Sequence, residues 1–313
     1  MRLAKTVNDV LARLLGASRR LDRYYRDGFD ALLRPPIVAA TQFLIARFRN
    51  DPVLAIAEER LLRDEEAITR EITRQMSDFL VQHYTGRIAL RAGNTKTHGL
   101  LRASFEIDPD LAPELRRGVF ASPAAYPAWV RVAGPGPFAP ADLDDNGILS
   151  LSIKLMGVPG EKLLEDERFT QDFTFISAPT FTTPNIAENV KLQKQIGRGT
   201  PVLYFVHPLD SHLLDGVMQG VYARAHANPL QLQYFSCVPY LHGDGQAVQL
   251  SVRPRDPRRS RVPKDPGPNY LREAMAETLR EREVSFDFLV QLQTDPRRMP
   301  VENSRRTMYR SAL

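Results

Sequence analysis

Side chains suited to catalysis or metal binding are sparse in this 313-residue chain, which has six histidines and a single cysteine. His83 falls in a helical pattern, while His98, His207, His212, His226 and His242 stand apart without metal-ligand spacing. His98 and His242 are the most interesting, although hydrogen-bonded structural roles are the ordinary use of such residues. Asp142, Asp144, Asn146 and Gly147 match the first half of a calcium loop, where oxygen ligands alternate before a sharp glycine turn. The twelfth position should then be a bidentate glutamate, but it is Ile153, within an alternating strand pattern. The acids and glycine therefore predict a turn between strands. Cys237 lies in an apolar run and reads as a small core residue. No G-x-S-x-G, phosphate-loop, dinucleotide-binding or H-E-x-x-H motif occurs.

Composition narrows the function classes. With 43% hydrophobic and 25% charged residues the chain can build a core, which excludes disorder as the default. Forty-two basic against 37 acidic residues leave a net charge of +5, too small at this length to argue for nucleic acid. The arginine-rich run at 253–261 lacks interleaved aromatics and reads as a solvated loop. A lone cysteine excludes an intrachain disulfide and a thiolate metal cluster. The N-terminal run VLARLLGA is too short for a secretory core or a membrane span, so the cytoplasm is the expected location.

The elements that must position these residues follow from the hydrophobic period. Val7, Val10, Leu11, Leu14 and Leu15 predict an amphipathic helix, expected to pack on protein, with a partner subunit or a membrane surface as alternatives. Pro35 and Pro36 break that region. Asp51 and Pro52 predict the start of a long helix running through Ile68, Ile72, Met76, Phe79 and Leu80. From about residue 98 the period becomes two. Strands are expected around residues 103–107, 128–133, 149–155, 172–178, 231–237, 246–252 and 284–292. Helices are expected after Thr183-Pro184 and after Pro208. Helices first, then mixed strands with late helices, predict an α+β chain with a closed or nearly closed antiparallel sheet.

Segments 91–107 (RAGNTKTHGLLRASFEI), 119–133 (VFASPAAYPAWVRVA) and 145–158 (DNGILSLSIKLMGV) resemble the core of the catalase superfamily. So do QDFTFISAPTF from Gln171, YFSCVPYLHGDGQAVQLSVRP from Tyr234 and FDFLVQLQTDPRRMPVE from Phe286. The resemblance is nearest to the small catalase-like haem-binding proteins. It implies a catalase-like antiparallel β-barrel at 86–302, a helical arm at 1–85 with inserted helices, and a short tail at 303–313. It also implies haem b within the barrel. Arg91 and Arg131 stand where the family neutralises the haem propionates, and a fork-shaped cation suits a buried carboxylate. Where the family places its catalytic histidine, this chain has Asn94. Ala133 replaces a serine, and the distal asparagine position falls near Ile176 and Ser177. An amide holds a bound oxygen but cannot shuttle a peroxide proton. His98 is the alternative base if the loop is re-aimed. Tyr309, with Arg305 before it, fits the spacing of the family's axial ligand and its activating arginine.

The resulting expectation is a haem-binding protein that reacts with organic or lipid hydroperoxides and does not dismutate hydrogen peroxide efficiently. The alternatives are a non-catalytic haem binder or sensor, and a haem-free scaffold. Peripheral membrane contact and a homo-oligomer are the partners considered; nucleic acid is not.

Overall fold

Hydrophobic periodicity switches from helical to alternating near residue 97, and the computed structural model turns from helices to sheet at that point. The structure describes residues 2–48, 52–84, 86, 90–145, 147–162, 167–236 and 238–306. Helices α1 (Arg2–Leu32), α2 (Arg34–Arg47) and α3 (Glu65–His83) come first, followed by strands β1 (Thr97–Glu106), β2 (Ala125–Ala133), β3 (Ser150–Met156) and β4 (Thr170–Ile176). Helices α4 (Ile186–Gly197), α5 (Leu203–Val206) and α6 (Leu213–Tyr222) interrupt the sheet. It resumes with β5 (Tyr234–Phe235), β6 (Tyr240–Leu241) and β7 (Ala247–Pro254), and after α7 (Tyr270–Glu281) it ends with β8 (Phe286–Leu292). The strands form one sheet in the order β1-β2-β3-β4-β5-β7-β6, with β8 also paired to β7. Every recorded pairing is antiparallel.

Alternation decides which face is inside. Leu151, Ile153, Leu155, Phe173, Phe175, Val248, Leu250 and Val252 line the buried face of this curled sheet. Its two ends meet through side chains: Phe105 of β1 lies edge-on to Phe288 of β8, ring centroids 5.0 Å apart. Phe173 stacks on the same pair at 6.2 and 5.1 Å, and Phe120 reaches Phe288 at 5.8 Å. The lumen is a packed aromatic core.

Three sequence expectations change. The long helix begins at Glu65 and not at Asp51–Pro52; Asp51 itself lies outside the described residues. The intervening segment takes tertiary hydrogen bonds instead, with Ala57 N–H donating to Gln293 and Arg60 N–H to Glu302. β5 covers only two residues of the stretch expected at 231–237, because residues 229–231 form a short 3-10 turn. α1 does not bury its apolar stripe on the rest of the chain. It buries Asn8, Asp22 and Arg26 and leaves Val7, Val10, Leu14, Leu15 and Leu21 exposed. Asn8 accepts from Val202 N–H at 2.9 Å, Asp22 from Ala225 N–H at 2.6 Å, and Arg26 donates to the Ala223 carbonyl at 2.8 Å. These directional bonds outrank the apolar stripe in orienting the helix.

The expected turn between strands is present: residues 142–144 make a 3-10 turn between β2 and β3. Gly147, at φ +80°, closes it where a Cβ would collide with the Arg224 backbone 2.6 Å away. Truncating Phe173 to alanine should remove the centre of the aromatic core and cost about 3–5 kcal/mol. The measurement is the urea unfolding midpoint, with an unchanged m-value as the sign of an intact native state.

Candidate functional site

The site implied by the sequence forms where the chain enters β1 and leaves β2. Asn94 takes the left-handed conformation, φ +48°, which asparagine tolerates better than most residues. Its N–H donates to the Pro135 carbonyl at 3.2 Å, and Thr95 N–H to that of Gly136 at 3.1 Å. Thr95 also donates its hydroxyl to the Arg91 carbonyl at 2.6 Å, which holds Arg91 at the mouth of the turn. Arg131 points outward from β2, since its neighbours Val130 and Val132 face the core. Its guanidinium donates to the Thr97 hydroxyl at 2.7 Å and to the Asn94 carbonyl.

Neither Arg91 nor Arg131 has a carboxylate partner among the described residues. Burial, and then the charge of nearby Arg91, pull the Arg131 pKa below the usual arginine value. Nearby guanidiniums without a carboxylate partner among the described residues make this end of β2 a candidate anion site. Strand register supplies its floor. Thr97 pairs with Ala133, Ala133 with Ser150, and Ser150 with Ile176, a row across four strands. Ala133, the serine replacement, and Ile176, near the distal-asparagine position, thus share a row with Thr97, three residues after Asn94. None of the row's side chains is a general base at neutral pH.

His98 belongs to a different environment. Thr97 meets Arg131, whereas Lys96 and His98 meet Asp142. Lys96 Nζ lies 2.6 Å from Asp142 Oδ1 and donates to the Pro268 carbonyl at 2.6 Å, while Asp142 Oδ2 accepts from Leu271 N–H at 2.8 Å. This buried pair ties the start of β1 to the 140–142 turn and to α7. His98 is 2% exposed, and its Nδ1 sits 3.6 Å from Asp142 with neither ring nitrogen hydrogen-bonded. Burial lowers its pKa, so the ring is neutral and sealed from substrate. The re-aimed loop that would make His98 a base is not adopted.

Most other histidines are structural. His226 donates from Nε2 to the Gly147 carbonyl at 2.9 Å, and burial pushes its pKa down to about 3. His242 reaches the Leu115 carbonyl at 3.1 Å and packs on Phe120. The tail residue Arg305 is bound elsewhere, with Nη1 3.5 Å from Asp215 of α6 and its carbonyl accepting from Gln42 of α2. No hydrogen bond or ion pair joins Arg305 to Arg91, Asn94, His98 or Arg131 among the described residues. Tyr309 lies outside the described residues.

Comparison with known proteins gives one kind of match. No protein-family model and no curated protein matches the sequence. Among solved structures, a fungal catalase superposes with TM-score 0.51 at 14% identity, over 80% of this chain and 51% of that one. Catalase A from Saccharomyces cerevisiae superposes with TM-score 0.52, again at 14% identity, over 80% and 53%. The chain has the catalase fold. It spans about half the length of these catalases, and at such identity the likeness fixes architecture alone.

The catalase fold brings haem into question, and the residues present fit one edge of it. Arg91 and Arg131, without carboxylate partners among the described residues, suit the propionates. On the iron side, Arg305 is committed to Asp215. Removing Asp142 as alanine would strand the Lys96 ammonium in a buried setting and destabilise the fold by about 3–5 kcal/mol. Replacing both partners with Leu and Met should recover most of that loss in chemical denaturation, because no buried charge remains unpaired.

Proposed function

We propose that this chain is a haem b-binding protein of catalase fold that reacts with organic or lipid hydroperoxides and dismutates hydrogen peroxide poorly. The observation that carries the proposal is the Arg131 guanidinium held on the Thr97 hydroxyl and the Asn94 carbonyl, near Arg91, with no carboxylate partner for either arginine among the described residues. A dicarboxylate ligand supplies that partner and gains charge-assisted hydrogen bonds. Haem, when bound, supplies the iron chemistry that breaks a peroxide O–O bond.

The chain's own residues account for the substrate preference. Arg91 and Arg131 would hold the propionates. The Asn94 amide can orient a peroxide by donating or accepting hydrogen bonds, but it cannot carry the proton from one oxygen to the other. That transfer contributes about a hundred- to ten-thousand-fold in rate. Gly93, with open space where a Cβ would stand, favours a bulky substrate beside Asn94. The engagement of Arg305 with Asp215 favours a second reading, a haem sensor without turnover, because the arginine meant to activate an axial Tyr309 is already paired.

Absorption spectroscopy of the full chain with added haem b tests these readings. The proposal expects a Soret band, haem affinity at least about tenfold weaker in Arg91→Ala and Arg131→Ala, and a shifted band in Tyr309→Phe. It also expects faster turnover of a lipid hydroperoxide than of hydrogen peroxide. A stable spectrum with no turnover of either substrate favours the sensor. Absence of bound haem overturns both and leaves a scaffold.

A lipid substrate is consistent with the outward face of α1. Leu3, Val7, Val10 and Leu14 recur at three- and four-residue spacing, with Leu21 two turns on, all exposed. Arg13 borders this row, and Arg20 beside it pairs with Asp144 at 2.7 Å, so the flank offers a cationic margin that an anionic lipid surface would attract. We propose that α1 docks on such a surface. Sedimentation with anionic vesicles should recover the wild type, and Val10→Asp with Leu14→Asp should stay in solution. Failure of the wild type to bind, or a dimer lost in the same variant, overturns the assignment.

A further inference from the structure

A second cluster with chemical content lies among the inserted helices. Glu188 is in the first turn of α4, while Asp210 and His212 precede α6. His212 Nε2 stands 3.3 Å from Glu188 Oε2 and 3.4 Å from Asp210 Oδ1. All three ligand atoms lie within 4.8 Å of one another. Donors bound to one cation at about 2.0–2.1 Å in tetrahedral array sit about 3.3–3.4 Å apart, so both histidine–carboxylate spacings are compatible with a shared ion.

Hydrogen bonding does not explain the arrangement. Glu188 Oε2 and His212 Nε2 are both buried without a hydrogen-bond partner. The outer carboxylate oxygens are occupied instead, since Lys191 Nζ binds Glu188 Oε1 at 2.9 Å and Asp210 Oδ2 at 3.0 Å. The lysine therefore aims both carboxylates while leaving their inner oxygens turned toward the imidazole.

The surroundings match a metal-binding histidine. The Asp215 side chain is 1% exposed, and its Oδ2 lies 3.7 Å from His212 Nδ1 with no hydrogen bond of its own. A carboxylate behind the second ring nitrogen is placed to fix, on closing to a hydrogen bond, the tautomer that presents Nε2 to a cation. Tyr204, 3% exposed, stacks on the His212 ring with centroids 4.2 Å apart and planes 3° from parallel. Its hydroxyl has no hydrogen-bond partner and interacts electrostatically with Asp215, Glu188 and Asp210. An orphaned phenol in this position is a donor for a ligand of the same site.

We propose that Glu188, Asp210 and His212 form a binding site for a first-row divalent cation such as zinc, with Asp215 orienting His212 and the fourth position open to water. One imidazole and two carboxylates suit zinc, iron or manganese better than a thiolate-seeking ion. The ion would clasp α4 to the segment leading into α6. This site is separate from the Arg91–Arg131 pair, and the inference does not depend on haem.

Titration of the full chain with Co2+, and with Zn2+ in calorimetry, tests it. Co2+ should develop visible d–d bands at one equivalent, and Zn2+ should displace it. Glu188→Gln and His212→Gln should each weaken binding at least about tenfold, and Asp215→Asn about 10–100-fold through the orientation of the ring. Far-UV circular dichroism establishes that each variant is folded, and Lys5→Ala serves as a remote control with unchanged affinity. Absence of binding to folded wild type, or equal binding in the folded Glu188→Gln and His212→Gln proteins, overturns the site and leaves a lysine-neutralised ion cluster.

Discussion

The filling of the sheet's lumen by phenylalanine rings is the constraint on which the rest of the structure depends. Phe105, Phe173 and Phe288 come from the first, middle and last strands; Phe105 and Phe173 lie near-parallel, and both meet Phe288 edge-on, which brings the ends of the sheet together. Aromatic burial supplies large area, and the ring quadrupoles select tilted over face-to-face packing. Alternation along β2 follows from the same packing: Val130 and Val132 join the core, and Arg131 between them points away from it.

Two polar systems diverge from the segment that enters β1. Asn94 and Thr97 meet Arg131, which has no acid. Lys96 and His98 meet Asp142, which is wholly buried. The second system is structural, because Lys96, Asp142 and the Leu271 amide bind the turn, the strand and α7 together. The first has charge left over. Separation of the two explains how a buried histidine can lie near the site while the site itself lacks a base.

The helical part follows a different logic. Asn8, Asp22 and Arg26 dock α1 on the chain by hydrogen bonds, and its apolar residues turn away. A helix oriented by polar contacts can present an apolar surface at modest cost if a lipid or protein covers it. Asp215 links the tail to the inserted helices through Arg305 and backs His212 on its other oxygen. One buried carboxylate thus joins the C-terminal segment to the proposed cation site.

Local sequence was enough for the α+β class, most strands, the proline break at Pro35–Pro36 and the turn at 142–147. Each depends on a short-range signal: alternation, fixed φ, or a glycine that alone fits beside Arg224. Ordered motifs were also enough to suggest the catalase fold and to place Asn94, Ala133 and Arg131 in one region. The sequence did not disclose α7, the late start of α3, or the outward face of α1, since each depends on partners distant along the chain. Nor did it disclose the company of His212, whose ligand-spaced neighbours come from separate segments and whose backing carboxylate is buried by folding. Periodicity reports which residues share a face. Only the tertiary structure decides what that face meets, because desolvation and hydrogen bonding are settled between elements and not within them.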